Sequence, residues 1–260
     1  MIAASKMRRC QESNLATRPY ANKMREVLSD LAAQPRDETT VYPLLQAREV
    51  KKIEIIHITA DRGLCGGLNA NMNRMTASFV LSRDVPVTLV TVGRRGRDFM
   101  ARYGRDIRAE FTGLGDQPSL ADTQPISRVV IDDYISGEAD LVLLAYTKFF
   151  TTVTQRQVME QLLPIEPAKI EPIYAVGYIY EPSSSQVLEQ LLPRYVEMEV
   201  FHAVLESIAS EQSARMVAMR NATEAAEDMI QDLTLAFNKA RQETITKELL
   251  DISVGAMSIS

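Results

Sequence analysis

Cysteine, histidine and tryptophan are scarce in this chain. Its 260 residues include two cysteines, two histidines and no tryptophan. Cys10 and Cys65 cannot build a disulfide framework, so we expect a reducing compartment. Because His57 and His202 stand far apart in the sequence and no Cys-x-x-Cys occurs, the composition argues against a zinc site. We expect no metal and no other cofactor.

Long apolar runs and basic runs are also missing. No stretch approaches the roughly 18 consecutive apolar residues that a membrane-spanning helix needs, and the N-terminus has no apolar core of signal-peptide type. The net charge is −5, and no basic run is interleaved with aromatic residues, which argues against a nucleic-acid partner. The chain could still work beside a membrane.

The C-terminal region lacks glycine and proline between Arg194 and Val254. These 61 residues would form a helix about 92 Å long at 1.5 Å per residue, whereas a typical globular helix has about three turns. Apolar residues recur there at alternating steps of three and four, as in the seam of a left-handed coiled coil. Eleven of the 13 seam positions are apolar, the exceptions being Gln212 and Arg215: Met198, Phe201, Leu205, Ile208, Gln212, Arg215, Met219, Ala222, Ala226, Met229, Leu233, Ala236 and Ala240.

The N-terminal region has a shorter seam with the same spacing. Pro19 lies inside it and predicts a kink or break near Thr17 and Arg18. Residues 1–25 hold six basic groups against one acidic, a net of +5, whereas residues 197–260 hold eleven acidic against five basic, a net of −6. Helices of opposite charge attract each other if they pair. The N-terminal seam consists of Ala3, Met7, Cys10, Asn14, Thr17, Ala21, Met24, Leu28 and Leu31.

The two terminal helices can bury their seams against each other, but their lengths differ. About 33 N-terminal residues span roughly 50 Å, so the C-terminal helix is longer by roughly 40 Å. Residues 226–260 would then keep an exposed apolar stripe, which usually signals a missing partner.

Strand-like and helix-like segments alternate between residues 50 and 180, which is typical of βαβ units with a mostly parallel sheet. The predicted fold class is α/β: a long antiparallel coiled coil of N- and C-terminal helices, 1–34 and 184–257, with a central Rossmann-like α/β domain at 50–180. The predicted strands are Ile53–Thr59, Val87–Val92, Ile107–Thr112, Leu141–Tyr146 and Ala168–Tyr180, and the predicted helices are Leu68–Leu81, a further helical piece after Gly93, and Ser119–Ser136.

A glycine-rich turn, residues 61–69, follows the first predicted strand. Glycines between a strand and a helix can bring backbone amides to a phosphate. The spacing here is neither G-x-G-x-x-G nor that of a P-loop, so nucleotide binding is the weaker interpretation. Cys65 could act as a nucleophile only beside a base, and His57 is the one candidate. We expect instead a tight turn with a partly exposed thiol.

Seven segments carry a family resemblance: Ala3–Arg9, Arg18–Ala21, Asp61–Asn69, Tyr180–Pro182, Ser210–Met219, Asn221–Thr223 and Asn238–Thr246. They extend over nearly the whole chain, and in this order they resemble the gamma subunit of rotary F-type ATP synthases. Members of that family begin earlier, with a further helical segment ahead of Ala3, so we expect a start site upstream of Met1. The alternative is a truncated product, in which the upper part of the coiled coil would be single-stranded.

The resemblance implies a non-catalytic rotor subunit of the central stalk. Such a subunit couples rotation of a proton-driven membrane ring to conformational cycling of the catalytic subunits in ATP synthesis and hydrolysis. The implied partners are the catalytic and non-catalytic nucleotide-binding subunits of the hexamer, the epsilon subunit and the membrane c-ring, with no nucleic acid. The implied location is peripheral, at the cytoplasmic face of a bacterial plasma membrane or at an organelle inner membrane.

The resemblance also implies contacts of the C-terminal helix. Arg241 and Gln242 would meet the catch loops of the catalytic subunits, with Thr246 and Glu248 one and two turns further along. Arg215 matches a position that the family associates with coupling.

Two further groups of contact residues follow from the resemblance. The group that would approach acidic levers of the catalytic subunits comprises Lys6, Arg8, Arg9 and, in turn 61–69, Arg62 and Cys65. The group that would contact the membrane ring comprises Tyr178, Tyr180 and Glu181.

The residues alone do not exclude two other classes of function. One is a nucleotide-dependent α/β enzyme that uses the turn at Gly66 and Gly67, and the other is a static coiled-coil scaffold. Nucleotide binding by the isolated chain would favour the enzyme, whereas co-purification with a nucleotide-binding hexamer would favour the rotor.

Overall fold

The computed structural model describes residues 5–7, 19, 23, 24, 26–28, 31, 42–166, 181 and 183–257. Residues 42–166 form an α/β arrangement, and the C-terminal region is one long helix. The elements, in chain order, are β1 Ile53–Ile58, α1 Leu68–Leu81, β2 Val87–Val92, α2 Arg94–Arg102, β3 Ile107–Phe111, α3 Leu120–Ser136, β4 Leu141–Phe149, β5 Gln155–Leu163 and α4 Ser184–Met257.

The five strands form one sheet in the order β3-β2-β1-β4-β5. The first four strands are parallel, and β5 pairs with β4 in the antiparallel sense. The order 3-2-1-4 of the parallel strands is that of a Rossmann-like half. The α/β class and the long C-terminal helix are therefore confirmed.

Both faces of the sheet are covered, which explains why all six residues of β1 are buried. On one face, Ile55 of β1 lies in a cluster with Met72 of α1 and Met100 of α2. On the other, Ile56 of β1 lies in a cluster with residues of α3 and of the first part of α4.

Local signals account for most element bounds. Helix α1 and strand β2 cover the predicted ranges. Helix α3 begins one residue later than predicted because Ser119 is its N-cap: the hydroxyl and backbone N–H of Ser119 each donate to the Asp122 carboxylate at 2.7 Å.

Strand β5 is not predicted by the sequence. Its nine residues, Gln155–Leu163, include a single β-branched residue, Val158, and no clean alternation of apolar and polar residues. Backbone pairing with β4 selects the extended conformation instead. The predicted strand Ala168–Tyr180 lies outside the described residues.

The chain divides into two units, Met1–Met216 and Val217–Ser260, and α4 contributes to both. In the first unit, Met24, Leu28 and Leu31 of the predicted N-terminal seam are helical and at most 5% exposed. They belong to the same core cluster as Leu188 and Val196 of α4. Pro19 is also in helical conformation, whereas the predicted kink at Thr17 and Arg18 lies outside the described residues.

The second unit is helical from Val217 to Met257. Its 41 helical residues have a length of about 60 Å. The residues of this unit from 219 to 254 are all exposed, including every apolar one, so this unit by itself has no core.

Candidate functional site

Turn 61–69 follows β1 at the carboxyl edge of the parallel strands, where open α/β sheets usually bind ligands. Two residues of the turn have left-handed backbone conformations, Leu64 with φ 62° and Gly66 with φ 60°. The Leu64 side chain is 75% exposed, and that of Cys65 is 2% exposed. The turn therefore presents an apolar side chain to the outside and hides its thiol.

Asp61 ties this turn to two neighbouring loops. One carboxylate oxygen, Oδ1, accepts from the backbone N–H of Arg94 at 3.0 Å. The other, Oδ2, accepts from the backbone N–H of Gly113 at 2.9 Å. Because both oxygens bind backbone groups, the three loops at this edge form one hydrogen-bonded unit.

The expectation of a partly exposed Cys65 thiol is wrong, because the Cys65 side chain is only 2% exposed. The Asn69 amide donates to Sγ of Cys65 at 3.2 Å, and its oxygen accepts from the backbone N–H of Ala60 at 3.0 Å. Burial raises the pKa of the Cys65 thiol, and the negative charge of Glu211 adds to this effect. A buried thiol with a raised pKa is a poor nucleophile at neutral pH.

His57 does not serve Cys65 as a base. Its Nε2 lies 2.8 Å from Oδ1 of Asn73, and its Nδ1 lies 3.0 Å from Oγ1 of Thr76. Since the Asn73 oxygen only accepts, Nε2 carries the proton, and Thr76 donates to Nδ1. Complete burial lowers the pKa of His57 to about 4. The ring is a neutral core group with both nitrogens in use.

Helix α4 covers the crevice at the carboxyl edge of the sheet. A small cavity of about 40 Å³ remains there, lined by Asp61 and Asn69 of the turn and by Val204, Ser207 and Glu211 of α4. A single water needs roughly 10–15 Å³ and a small-molecule site about 300–1,000 Å³. The place where a Rossmann-like sheet would hold a nucleotide is therefore occupied by the chain's own helix.

Polar side chains of α4 attach it to the β4–β5 hairpin. Glu206 accepts from the backbone N–H of Phe149 at 2.8 Å, and Ser210 donates to the carbonyl of Thr147 at 3.1 Å. Ser213 donates to the carbonyl of Thr152 at 2.7 Å. The spacing of three and four residues places these groups on one face of the helix. The residues in the sequence that could have revealed this face are the serines Ser210 and Ser213, which are both buried. The apolar seam does not account for them, because neither is a seam position.

The two polar residues in the apolar seam, Gln212 and Arg215, also have internal partners. Gln212 is 2% exposed and binds Asp116 of the loop after β3. Arg215 binds Glu211 and the carbonyl of Gly63 in the turn. Burial raises the pKa of Glu211, and the Arg215 guanidinium opposes that rise. Sequence reasoning missed Asp116 because its partners, Lys6 and Gln212, lie far away in the chain. It missed Glu211 because Glu211 is not itself a seam position, although its partner Arg215 is.

The predicted contact residues differ in how far their side chains are exposed. In the second unit, Arg241, Gln242, Thr246 and Glu248 are all exposed on helix α4. In the first unit, Arg62 and Glu181 are exposed and Lys6 is half-buried beside Asp116, whereas Arg215 keeps 17% of its side-chain surface exposed. Arg8, Arg9, Tyr178 and Tyr180 lie outside the described residues. These contacts stay predictions.

Two further properties concern the described part of the chain. No helix in it is long and apolar enough to cross a membrane. Nor do its described His, Cys, Asp and Glu side chains form a group of three or more that could hold a metal ion.

Comparison with known proteins gives a consistent result. The sequence profile of a family described as "ATP synthase" matches residues 1–259. A protein of Dehalococcoides mccartyi called "ATP synthase gamma chain" is 58% identical over 260 residues, which is 100% of this chain and 91% of the relative. A protein of the same name from Chloroflexus aurantiacus is 47% identical over 264 residues, with the same coverage.

Solved structures show the same fold. A chain from the central stalk and c-ring of the Tetrahymena thermophila mitochondrial ATP synthase matches with a TM-score of 0.65 and 23% identity, covering 86% of this chain and 96% of that one. A chain from the Euglena gracilis mitochondrial ATP synthase matches with a TM-score of 0.62 and 21% identity, covering 98% and 94%.

Proposed function

Because the chain belongs to the family of ATP synthase gamma chains, we propose that it is the non-catalytic rotor subunit in the central stalk of an F-type ATP synthase. Its rotation would couple proton flow through a membrane ring to ATP synthesis and hydrolysis in the catalytic subunits. The observation that carries this proposal is the exposed apolar surface of the unit Val217–Ser260.

Apolar side chains in this unit point to several sides of the helix. Successive residues are about 100° apart, so Leu233 and Leu235 differ by roughly 200°. An exposed apolar surface of this extent normally marks a place that a partner covers. One partner helix could cover a single stripe, so the other directions require further neighbours, as a ring of subunits would provide. The large apolar residues from Met229 onward, each between 47% and 69% exposed, are Met229, Ile230, Leu233, Leu235, Phe237, Ile245, Leu249, Leu250, Ile252 and Val254.

The proposed catch contact has a suitable geometry. Arg241 and Glu248 are seven residues apart, and Gln242 and Thr246 are four apart, so each pair lies along one row of the helix surface. An exposed arginine can bind a carboxylate with two parallel hydrogen bonds, which fixes direction as well as distance. As the helix turns, such a contact would form with one catalytic subunit at a time.

Rotation can drive catalysis only if the shaft contacts the competing subunit conformations differently. Driving a two-state subunit from about 1:99 to 99:1 needs a difference of roughly 5.5 kcal/mol. Several desolvated contacts of the exposed apolar and polar side chains are enough to supply such a bias.

Geometry at the sheet supports the non-catalytic part of the proposal. Helix α4 covers the crevice where a nucleotide would bind, and the Asp61 carboxylate is used by two backbone groups. The Cys65 thiol is buried, and His57 is bound on both nitrogens. These observations favour the rotor over the enzyme that the glycine-rich turn left open.

We further propose the partners that the family implies. The hexamer of nucleotide-binding subunits would enclose the unit Val217–Ser260, and the epsilon subunit and the c-ring would bind the first unit, the ring near Tyr178 and Glu181. Lys6, Arg62 and their neighbours would face acidic segments of the hexamer. Nucleic acid is not among the proposed partners. The location that fits is the cytoplasmic face of a bacterial plasma membrane, where the protein is peripheral.

The double variant Arg241→Ala with Gln242→Ala tests the rotor function. In the assembled complex we expect weaker coupling of ATP hydrolysis to proton pumping, with hexamer binding retained through the apolar surface. The matched control, Arg220→Ala with Gln231→Ala, removes the same residue types from exposed positions of the same helix. A wild-type chain that does not co-purify with a nucleotide-binding hexamer, or that binds ATP tightly by itself, would contradict the proposal.

A further inference from the structure

Five side chains and one carbonyl connect four distant segments of the first unit. They are Lys6 of the helical residues 5–7, called the N-terminal helix below, Asp116 of the loop between β3 and α3, Glu211, Gln212 and Arg215 of α4, and the carbonyl of Gly63 in turn 61–69. We call this set the polar clamp. It lies in the last turns of α4 before the second unit begins at Val217.

Gln212 is the centre of the clamp. Its amide nitrogen donates to Oδ1 of Asp116 at 2.9 Å, and its amide oxygen accepts from Nη1 of Arg215 at 3.2 Å. The residue is 2% exposed. Because one end of the amide meets an acceptor and the other a donor, the orientation of the side chain is determined.

Asp116 links the two terminal helices. Its Oδ2 binds the Nζ of Lys6 at 2.5 Å, and its Oδ1 accepts from Gln212. The carboxylate thus gives one oxygen to the N-terminal helix and the other to α4. Both bonds involve a charged group, which makes them stronger than bonds between neutral groups.

Arg215 links α4 to the turn. Its Nη2 donates to Oε1 of Glu211 at 2.6 Å and to the carbonyl oxygen of Gly63 at 3.3 Å. Gly63 immediately precedes Leu64, the exposed residue with positive φ. The guanidinium therefore fixes the position of the turn relative to the helix.

We propose that Asp116 and Gln212 are positioning residues that fix the register and rotation of helix α4 against the N-terminal helix and turn 61–69. Burial of apolar seams is not directional, so seams alone allow sliding and rotation. A single buried polar residue in a coiled-coil seam is known to specify register. In a rotor, the same device transmits torque from the α/β part of the chain into α4. The inference rests on the proposed rotor function.

The variant Gln212→Glu tests the clamp with almost no change in size. It places a second carboxylate against Asp116 while still offering an acceptor to Arg215. In membrane vesicles containing the complete ATP synthase, we expect ATP hydrolysis to continue and proton pumping per ATP hydrolysed to fall below half of the wild-type value.

The double variant Asp116→Asn with Gln212→Glu reverses the polarity of this bond, because the new amide at position 116 can donate to the new carboxylate at position 212. We expect it to restore most of the pumping. A role in packing alone would not give this rescue. The matched control is Glu138→Gln, which removes the exposed ion pair between Lys52 and Glu138 and should leave pumping unchanged.

The inference is overturned if Gln212→Glu pumps as many protons per ATP as the wild type, or if the double variant is no better than the single one. If Gln212→Glu does not assemble, hydrogen exchange of residues 61–69 in the Asp116→Asn chain decides: faster exchange supports the clamp and unchanged exchange overturns it. Failure of the rotor function itself would appear in the wild type, as a complex that forms without this chain or does not pump.

Discussion

The Nη2 atom of Arg215 donates a hydrogen bond to the carbonyl oxygen of Gly63 at 3.3 Å, between residues 152 positions apart in the chain. The same nitrogen binds Glu211 at 2.6 Å. Arg215 thus connects helix α4 to the glycine-rich turn 61–69 through a part-buried hydrogen bond. Periodicity does not explain why a charged residue stands in an apolar seam. These two hydrogen bonds explain it.

Replacing Arg215 by lysine should loosen the turn. A lysine keeps the charge but has no planar fork, so it cannot bind Gln212, Glu211 and Gly63 together. We expect a loss of roughly 1–2 kcal/mol of unfolding free energy and faster hydrogen exchange at residues 63 and 64. Arg220→Lys, at a side chain 79% exposed, is the control and should change stability by less than about 0.5 kcal/mol. Equal behaviour of the two variants would contradict the prediction.

Stability should fall as the pH rises from 4.5 to about 8 because of Glu54, which lies on β1 and is 1% exposed. Burial, reinforced by the negative charge of Asp133, raises the pKa of Glu54 to about 8, although Arg108 opposes the rise. Between pH 4.5 and about 8, the folded chain holds a proton that the unfolded chain has released, so unfolding becomes easier as the pH rises.

The variant Glu54→Gln removes this dependence because an amide does not titrate. We expect its stability relative to the wild type to grow by roughly 3–5 kcal/mol between pH 4.5 and pH 8. Urea unfolding followed by circular dichroism at several pH values measures the difference. The exposed Glu138→Gln is the control, and a pH profile of Glu54→Gln parallel to that of the wild type would refute the assignment.

His57 should make the fold sensitive to acid instead. Burial lowers its pKa to about 4 in the folded chain, from an ordinary value of 6.5. As the pH falls through this window, the unfolded chain takes up a proton first and stability is lost. We expect His57→Gln to be less stable than the wild type by about 1–3 kcal/mol at pH 7 and this deficit to shrink towards pH 4. A deficit that stays constant would show that the His57 pKa is not lowered.

Two glycines with positive φ should respond differently to alanine. A Cβ on Gly93 would lie 2.1 Å from the Thr59 carbonyl oxygen, whereas a Cβ on Gly66 would meet no atom of the described chain within 4 Å. Gly66→Ala should lower the free energy of unfolding by about 1–2 kcal/mol through backbone strain alone. Gly93→Ala should lower the free energy of unfolding by about 3 kcal/mol or more, because the chain at Thr59, directly after β1, must move. Thermal unfolding of both variants compares them directly.

Features that depend on local order can be predicted from the amino-acid sequence of this chain. The period of the apolar residues predicted helix α4, and β-branched runs predicted β1 and β2, because a helix repeats every 3.6 residues and a strand every two. The order of the seven resemblance segments predicted the family. Each of these signals is carried by residues close together in the chain.

Features that depend on partners distant in the chain become visible in the folded structure and not before. Strand β5 is extended because β4 pairs with it, and the Cys65 side chain is buried in the folded chain, where its sulfur accepts a hydrogen bond from Asn69. The crevice in which a Rossmann-like sheet would hold a nucleotide is filled by helix α4, which lies at the carboxyl edge of the sheet although it begins far along the chain from turn 61–69. Gln212 and Arg215 break the seam pattern, and periodicity cannot say why, since it records where side chains point and not what they meet. Their partners come from segments that folding alone brings together.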